Sequence, residues 1–179
     1  MLHRLASAWR KYVAGFVAAF CVLFLTAAIP AHAAEKLVVA LGASQTHGKG
    51  VARDQTYPAQ LEQLLRLKGI DVRVINSGVN GDTTGSMLQR LEESVPAGTS
   101  IVILQPGGND KRKGAGDARA ANITAIKKHL AARGITVVMM ENRLFRNYPR
   151  QADGQHLTPA GYHSLALSLV PKIAVLLSP

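Results

Sequence analysis

Asp153-Gly154-Gln155-His156-Leu157 places a carboxylate three residues before an imidazole, with a glycine between them that lets the acid fold back onto the ring. That spacing suits an aspartate orienting a histidine base, although an Asp-x-x-His taken alone is more often surface decoration. A base needs a nucleophile to serve, and Gly42-Ala43-Ser44-Gln45-Thr46-His47-Gly48-Lys49-Gly50 offers one. Its glycines permit sharp turns that lift Ser44 off a strand end. Two chemistries compete for this loop. A phosphate loop has four residues between its glycines and then Lys-Ser/Thr, whereas here five separate Gly42 from Gly48 and Gly50 follows Lys49. A serine nucleophile is the better reading, although Thr46 stands where the Gly-x-Ser-x-Gly elbow has its second glycine.

Two further loops carry residues of interest. Asn76-Ser77-Gly78-Val79-Asn80-Gly81-Asp82-Thr83-Thr84 is dense in residues that turn chains and cap helices, which by itself explains it. Gln105-Pro106-Gly107-Gly108-Asn109-Asp110 has two glycines that leave room beside Asn109 for a ligand, or simply make a turn. His47, His129 and His163 show no metal-ligand spacing and read as surface or packing histidines.

These loops need elements to position them. Leu37–Leu41 is a continuous apolar run of the kind that fills a strand buried on both faces. Residues 57–68 read as a helix with Leu61, Leu64 and Leu65 on one side, Pro58 in its first turn and Gly69 at its stop. Strands follow at 72–75, 101–104 and 136–140, separated by helices at 83–93 (Met87, Leu88 and Leu91 inward) and 117–133 (Ala121, Ile123, Ile126 and Leu130 inward). Thr158-Pro159 reads as the cap and first residue of a terminal helix carrying Leu165, Leu169, Ile173 and Leu176. Strands alternating with helices imply a doubly wound α/β domain, a mostly parallel sheet covered on both faces. Ligands in such folds bind beyond the carboxyl ends of the strands, so loops 42–56, 76–82, 105–116 and 141–157 should share one rim.

The chain of 179 residues is long enough for one such domain and too short for two. Its 47% apolar and 18% charged residues exclude a disordered or collagen-like chain. The apolar run from Tyr12 to Ile29 is preceded by Arg4, Arg10 and Lys11 and followed by Ala31-His32-Ala33, the pattern of a signal peptide cleaved after Ala33. An uncleaved anchor is the alternative. Phe20 before Cys21 does not suit lipoprotein processing, and removal of residues 1–33 takes the single cysteine away. Residues 34–179 would then be a cysteine-free, periplasmic or secreted domain held by its hydrophobic core.

In order along the chain, Ser44, Gly81, Asn109 and Asp153/His156 resemble the four signature blocks of the SGNH, or GDSL, hydrolases. Val79–Thr83, Gly107–Asp110 and Asp153–Leu157 carry the most specific matches. The resemblance is to the small exported branch of the family, with its thioesterase/lysophospholipase and arylesterase members and flavodoxin-like sheet. It implies Ser44 as nucleophile, His156 as general base and then acid, and Asp153 as the residue orienting His156. It also implies an oxyanion hole from the N–H groups of Ser44 and Gly81 and the side-chain amide of Asn109, with no metal or organic cofactor. Two departures stand out. Ala43 replaces the aspartate usual before the nucleophile, and only twelve residues separate Met140 from Asp153, where relatives insert another helix and strand. A sheet of about four strands is therefore expected.

The expected activity is hydrolysis of carboxylic ester or thioester bonds through an acyl-enzyme, on a small-molecule ester or lipid-like substrate. A monomer is expected, with no nucleic-acid partner. Lys111-Arg112-Lys113 and Arg143, Arg146 and Arg150 border the expected site. They either draw anionic substrates and a transient contact with an anionic membrane surface, or form a solvated basic rim. The alternative reading of the whole chain is a non-catalytic SGNH-fold binding or interaction module of the cell envelope.

Overall fold

Four runs of β-branched and leucine residues build the sheet: β1 (Lys36–Gly42), β2 (Val72–Gly78), β3 (Thr99–Gln105) and β4 (Thr136–Met139). In this computed structural model residues 35–178 are described. The expected signal segment 1–33, with Cys21 and the cleavage point after Ala33, lies outside the described residues. All three pairings are parallel and the strand order is β2-β1-β3-β4, so the sheet has the four strands expected.

Alternation along the central strands divides the core in two. Val38, Ala40, Ile101 and Ile103 face one cluster, completed by Tyr57, Leu61 and Leu65 of α2 (Tyr57–Leu67) and by Leu165, Leu169 and Ile173 of α7 (Pro159–Leu177). Val39, Leu41, Val102 and Leu104 face the other. There they meet Met87 of α3 (Thr84–Gln89), Leu91 of α4 (Leu91–Ser94) and Ile126 and Leu130 of α6 (Arg119–Ala132). Because both faces are covered, β1 and β3 read as unbroken apolar runs. Two short helices sit on the rim: α1 (Ser44–His47) and α5 (Asn109–Arg112).

The helix expected over 83–93 is two helices that part at Arg90, whose side chain turns inward to the rim. At the end of α7 the buried residue is Leu177, four positions beyond Ile173, while Leu176 is 41% exposed. Ala121 is exposed as well, so the inward stripe of α6 rests on Ile126 and Leu130. The caps follow the sequence: the Thr158 hydroxyl accepts from Gly161 N–H at 3.2 Å with Pro159 at the first position.

With this order the connection leaving β1 runs to one side of the sheet and that leaving β3 to the other. The carboxyl ends of β1 and β3 therefore flank the switch point where α/β folds bind ligands. Ser44 follows β1 by two residues and Asn109 follows β3 by four.

Candidate active site

β1 ends at Gly42, where the chain must turn sharply to enter α1. A Cβ at Gly42 would lie 2.2 Å from Thr46 Oγ1 and 2.8 Å from the Gln105 carbonyl oxygen, so only glycine fits. The turn is held from the neighbouring strand: Ala43 N–H donates to Gln105 Oε1 at 3.0 Å and lies 3.3 Å from its carbonyl oxygen. Gln105, 1% exposed, thus steadies a turn that has no aspartate of its own at position 43. From the second edge β2 closes in; a Cβ on Gly78 would stand 2.1 Å from the His47 backbone nitrogen.

Ser44, His156 and Asp153 form one hydrogen-bonded chain. His156 Nε2 lies 2.9 Å from Ser44 Oγ, and its Nδ1 lies 2.5 Å from Asp153 Oδ2. Asp153 Oδ1 also accepts the backbone N–H groups of His156 and Gln155, each at 2.9 Å. The ring hydrogen bond first, and then the two backbone donors, hold the Asp153 carboxyl well below the usual carboxylate range. An ionised carboxylate only accepts, so the proton of the neutral imidazole sits on Nδ1 and Nε2 is left to accept from the Ser44 hydroxyl. Ser44 and His156 are buried to within 9% and 4% exposure. Such a chain can draw the proton from a serine hydroxyl as its oxygen attacks a carbon.

The loop bearing His156 is tied down by neighbours. Gln45 Nε2 donates to the Gln155 carbonyl at 2.6 Å, and Gln45 Oε1 accepts from the Tyr162 hydroxyl at 3.1 Å. Burial pushes the Tyr162 phenol upward, which keeps it a donor. Gln151 Nε2 donates to the carbonyls of Lys49 and Leu157 at 2.8 and 2.7 Å, and Arg150 donates to those of Gly154 and Phe145 at 2.8 and 3.1 Å. The short connection after β4 is thereby pinned both to α1 and to itself.

Gly81 and Asn109 line a hollow with Ser44 and His156. Gly81 has φ +75°, a left-handed conformation that disfavours a side chain. Asn109 Nδ2 donates one hydrogen to the Asp82 carbonyl at 2.7 Å, and its Oδ1 accepts from Arg112. The second amide hydrogen remains for a ligand. No acceptor among the described residues takes the N–H of Ser44 or Gly81. Hydrogen-bond donors not otherwise engaged, beside a serine oxygen, are what a developing oxyanion needs.

Behind this shell stand residues that the sequence did not single out. Arg90 forks onto Asp82 Oδ2 at 2.9 and 2.7 Å, and donates to the carbonyls of Ser77 at 2.9 Å and Gly42 at 3.4 Å. One guanidinium thus joins the ends of β1 and β2 to the Gly81 loop. Asp110 Oδ1 accepts the N–H and hydroxyl of Thr84 at 3.0 and 2.5 Å, which binds the Asn109 loop to the same place. Gln45, Arg90 and Gln105 carried no signal, because nothing near them in the chain marks their partners. The histidines read as ordinary have ordinary surroundings: His47 Nδ1 is 3.1 Å from the Gly78 carbonyl and His163 Nδ1 is 2.7 Å from Gln60 Oε1. Among the described residues, no group of three His, Cys, Asp or Glu is placed to hold a metal ion.

Residues 40–160 match the GDSL-like lipase/acylhydrolase family. The chain is 31% identical to an arylesterase of Vibrio mimicus over 155 residues, 86% of this chain and 72% of that protein. It is also 31% identical over 121 residues to esterase TesA of Pseudomonas aeruginosa, across 65% of this chain and 59% of TesA. The crystal structure of AlinE4, an SGNH-hydrolase family esterase, superposes with a TM-score of 0.60 at 27% identity, covering 82% of this chain and 99% of that one.

Proposed function

The chain belongs to the GDSL-like lipase/acylhydrolase family, and from that premise we propose that it hydrolyses carboxylic ester or thioester bonds through an acyl-enzyme on Ser44. The observation that carries this reading is the 2.9 Å approach of His156 Nε2 to Ser44 Oγ with Asp153 on the opposite ring nitrogen. His156 takes the hydroxyl proton as Oγ attacks the carbonyl carbon. The oxyanion that forms accepts hydrogen bonds from the N–H groups of Ser44 and Gly81 and from Asn109 Nδ2. On collapse of the intermediate the bond to the leaving group breaks, and the proton on Nε2 passes to the departing oxygen or sulfur. Water then enters with His156 again as base, and the acid departs as Ser44 recovers its proton. Asp153 stays ionised throughout, orienting the ring and stabilising the imidazolium.

A binding module with the same fold has no need of a buried Ser44 and His156 aligned with an ionised Asp153, so the hydrolase is favoured. Release of p-nitrophenol from acetate to octanoate esters, with Ser44→Ala prepared alongside, tests it. A fall of at least ~10³-fold in the variant is expected. Equal, near-background rates in both proteins would return the module.

Residues 1–33 act in this reading as a signal peptide and residues 34–179 as the exported hydrolase domain. The support is the basic flank, the apolar run and the small-residue cleavage pattern. A mature N-terminus at Ala34 in the exported fraction is expected; an intact N-terminus in the membrane fraction would point to an anchor.

A further inference from the structure

Two hollows meet at Ser44, and they differ in which catalytic group they expose. One, of about 190 Å³, runs past Ala43, Gly107 and Phe145, has Arg150 in its wall, shares Asn109 and Arg112 with the other, and does not reach His156. The other, of about 290 Å³, is lined by His156, Gly81 and Asn109 together with Lys49 and Arg112. Because His156 must hand its proton to the departing atom, the leaving group belongs in this second hollow and the acyl group in the first.

Lys49 lines the second hollow and not the first, beside the Arg112 that both share, while the Asp153 carboxylate stands behind the His156 ring. Lys49, Arg112 and Lys113 are exposed on its margin, and Lys113 Nζ lies 3.7 Å from where a Cβ on Gly81 would stand. The carboxylates of the four rim loops are directed elsewhere. Asp82 is paired with Arg90, Asp153 with His156 and Glu141 with Arg143; Asp110 is buried against Thr84, and Asp54 lines a groove beside β2. Neither Lys49 nor Lys113 has an ion pair among the described residues.

Resting on the hydrolase reading, we propose that the preferred substrates are esters whose leaving group carries a negative charge, held by Lys49 and Lys113 beside the Arg112 guanidinium. A carboxylate, phosphate or sulfate on the leaving group meets the requirement, since each presents oxygens to ammonium and guanidinium donors. Arg112 also holds Asn109 Oδ1, so an anion there reaches the group that orients an oxyanion donor.

The test compares 3-acetoxybenzoate with its neutral methyl ester on the full chain, each kcat/KM divided by that ester's own hydroxide-catalysed rate. The charged ester should be favoured by ~10-fold or more at low ionic strength, falling towards parity in ~0.5 M salt. Lys49→Gln/Lys113→Gln should remove most of the preference, and Lys49→Glu/Lys113→Glu should reverse it. Equal turnover of both esters, or a preference indifferent to both double variants, overturns the inference and leaves the hydrolase intact. Hydrolysis of neither ester overturns the hydrolase reading, and the inference falls with it.

Discussion

Gln45 Nε2 donates to the carbonyl of Gln155, the residue before His156, at 2.6 Å. The residue after Ser44 therefore holds the loop that carries His156, and Tyr162 of α7 holds Gln45 in turn. The short connection between β4 and α7 is anchored in this way directly to the turn that presents Ser44.

Removing that tether should loosen the imidazole rather than the substrate. Gln45→Ala is expected to lower kcat by about 10–100-fold with little change in KM, since displacements near 1 Å at a reacting group cost about that much. Steady-state kinetics on a p-nitrophenyl ester measure it, and a rise in KM with unchanged kcat would place Gln45 in substrate binding instead.

Asn109→Ala takes away a side-chain amide that lines the hollow beside Ser44. A loss of about 10²–10³ in kcat is expected with KM nearly constant, as for other side-chain oxyanion donors. An unchanged kcat would remove Asn109 from the oxyanion hole.

Arg90 joins three backbone segments around a buried carboxylate; Asp82 has only 4% of its side chain exposed. Arg90→Met leaves that charge unpaired, so about 3 kcal/mol of stability should be lost, as when a buried pair is broken on one side. Urea unfolding of the two proteins gives the number. A Asp82→Asn/Arg90→Met double variant should recover part of it, because the stranded charge is gone.

The pH dependence of stability should report Asp153. An unfolded aspartate titrates near ~3.9 and the folded one lower, so on acidification the unfolded chain takes up the proton first. The stabilisation from this carboxylate is complete above about pH 5 and fades as pH falls through 4 towards the folded value. The difference in unfolding free energy between the protein and Asp153→Asn should therefore shrink between about pH 5 and pH 2.5. A constant difference would mean that the carboxyl is not held ionised by His156.

Gly78→Ala tests the packing of β2 against α1, the helix that begins at Ser44. The added methyl meets backbone at 2.1 Å, which cannot swing aside as a side chain would. A cost of about 2–3 kcal/mol is expected from overpacking, with activity falling as α1 is displaced. Thermal unfolding together with turnover would show both.

The sequence by itself determined the elements and the local part of the site. The apolar run at β1 read as a strand covered on both faces and that at β3 as a strand, and the four rim loops followed from the alternation of strands and helices. Asp153 and His156 are three residues apart, so their ring and backbone hydrogen bonds close within one turn of chain and leave a pattern in the residue types. Ser44 was legible because glycines permit a sharp turn at its strand end, whereas Gly81 and Asn109 stood out from ordinary turn residues only through the resemblance to the family's signature blocks. What only the tertiary structure decided is how these pieces are held. Gln45 meets Gln155 across 110 residues, Gln105 reaches Ala43 across 62, and Arg90 reaches Gly42 across 48. Glutamine and arginine occur on any surface, and their role here depends on which carbonyl or carboxylate the folded sheet brings within 3.5 Å. The same holds for the break at Arg90 and for the basic hollow beside His156: local propensity favours one helix and a solvated rim, while chain reversal at four strand ends sets a guanidinium on Asp82 and gathers Lys49, Arg112 and Lys113 around a single cleft.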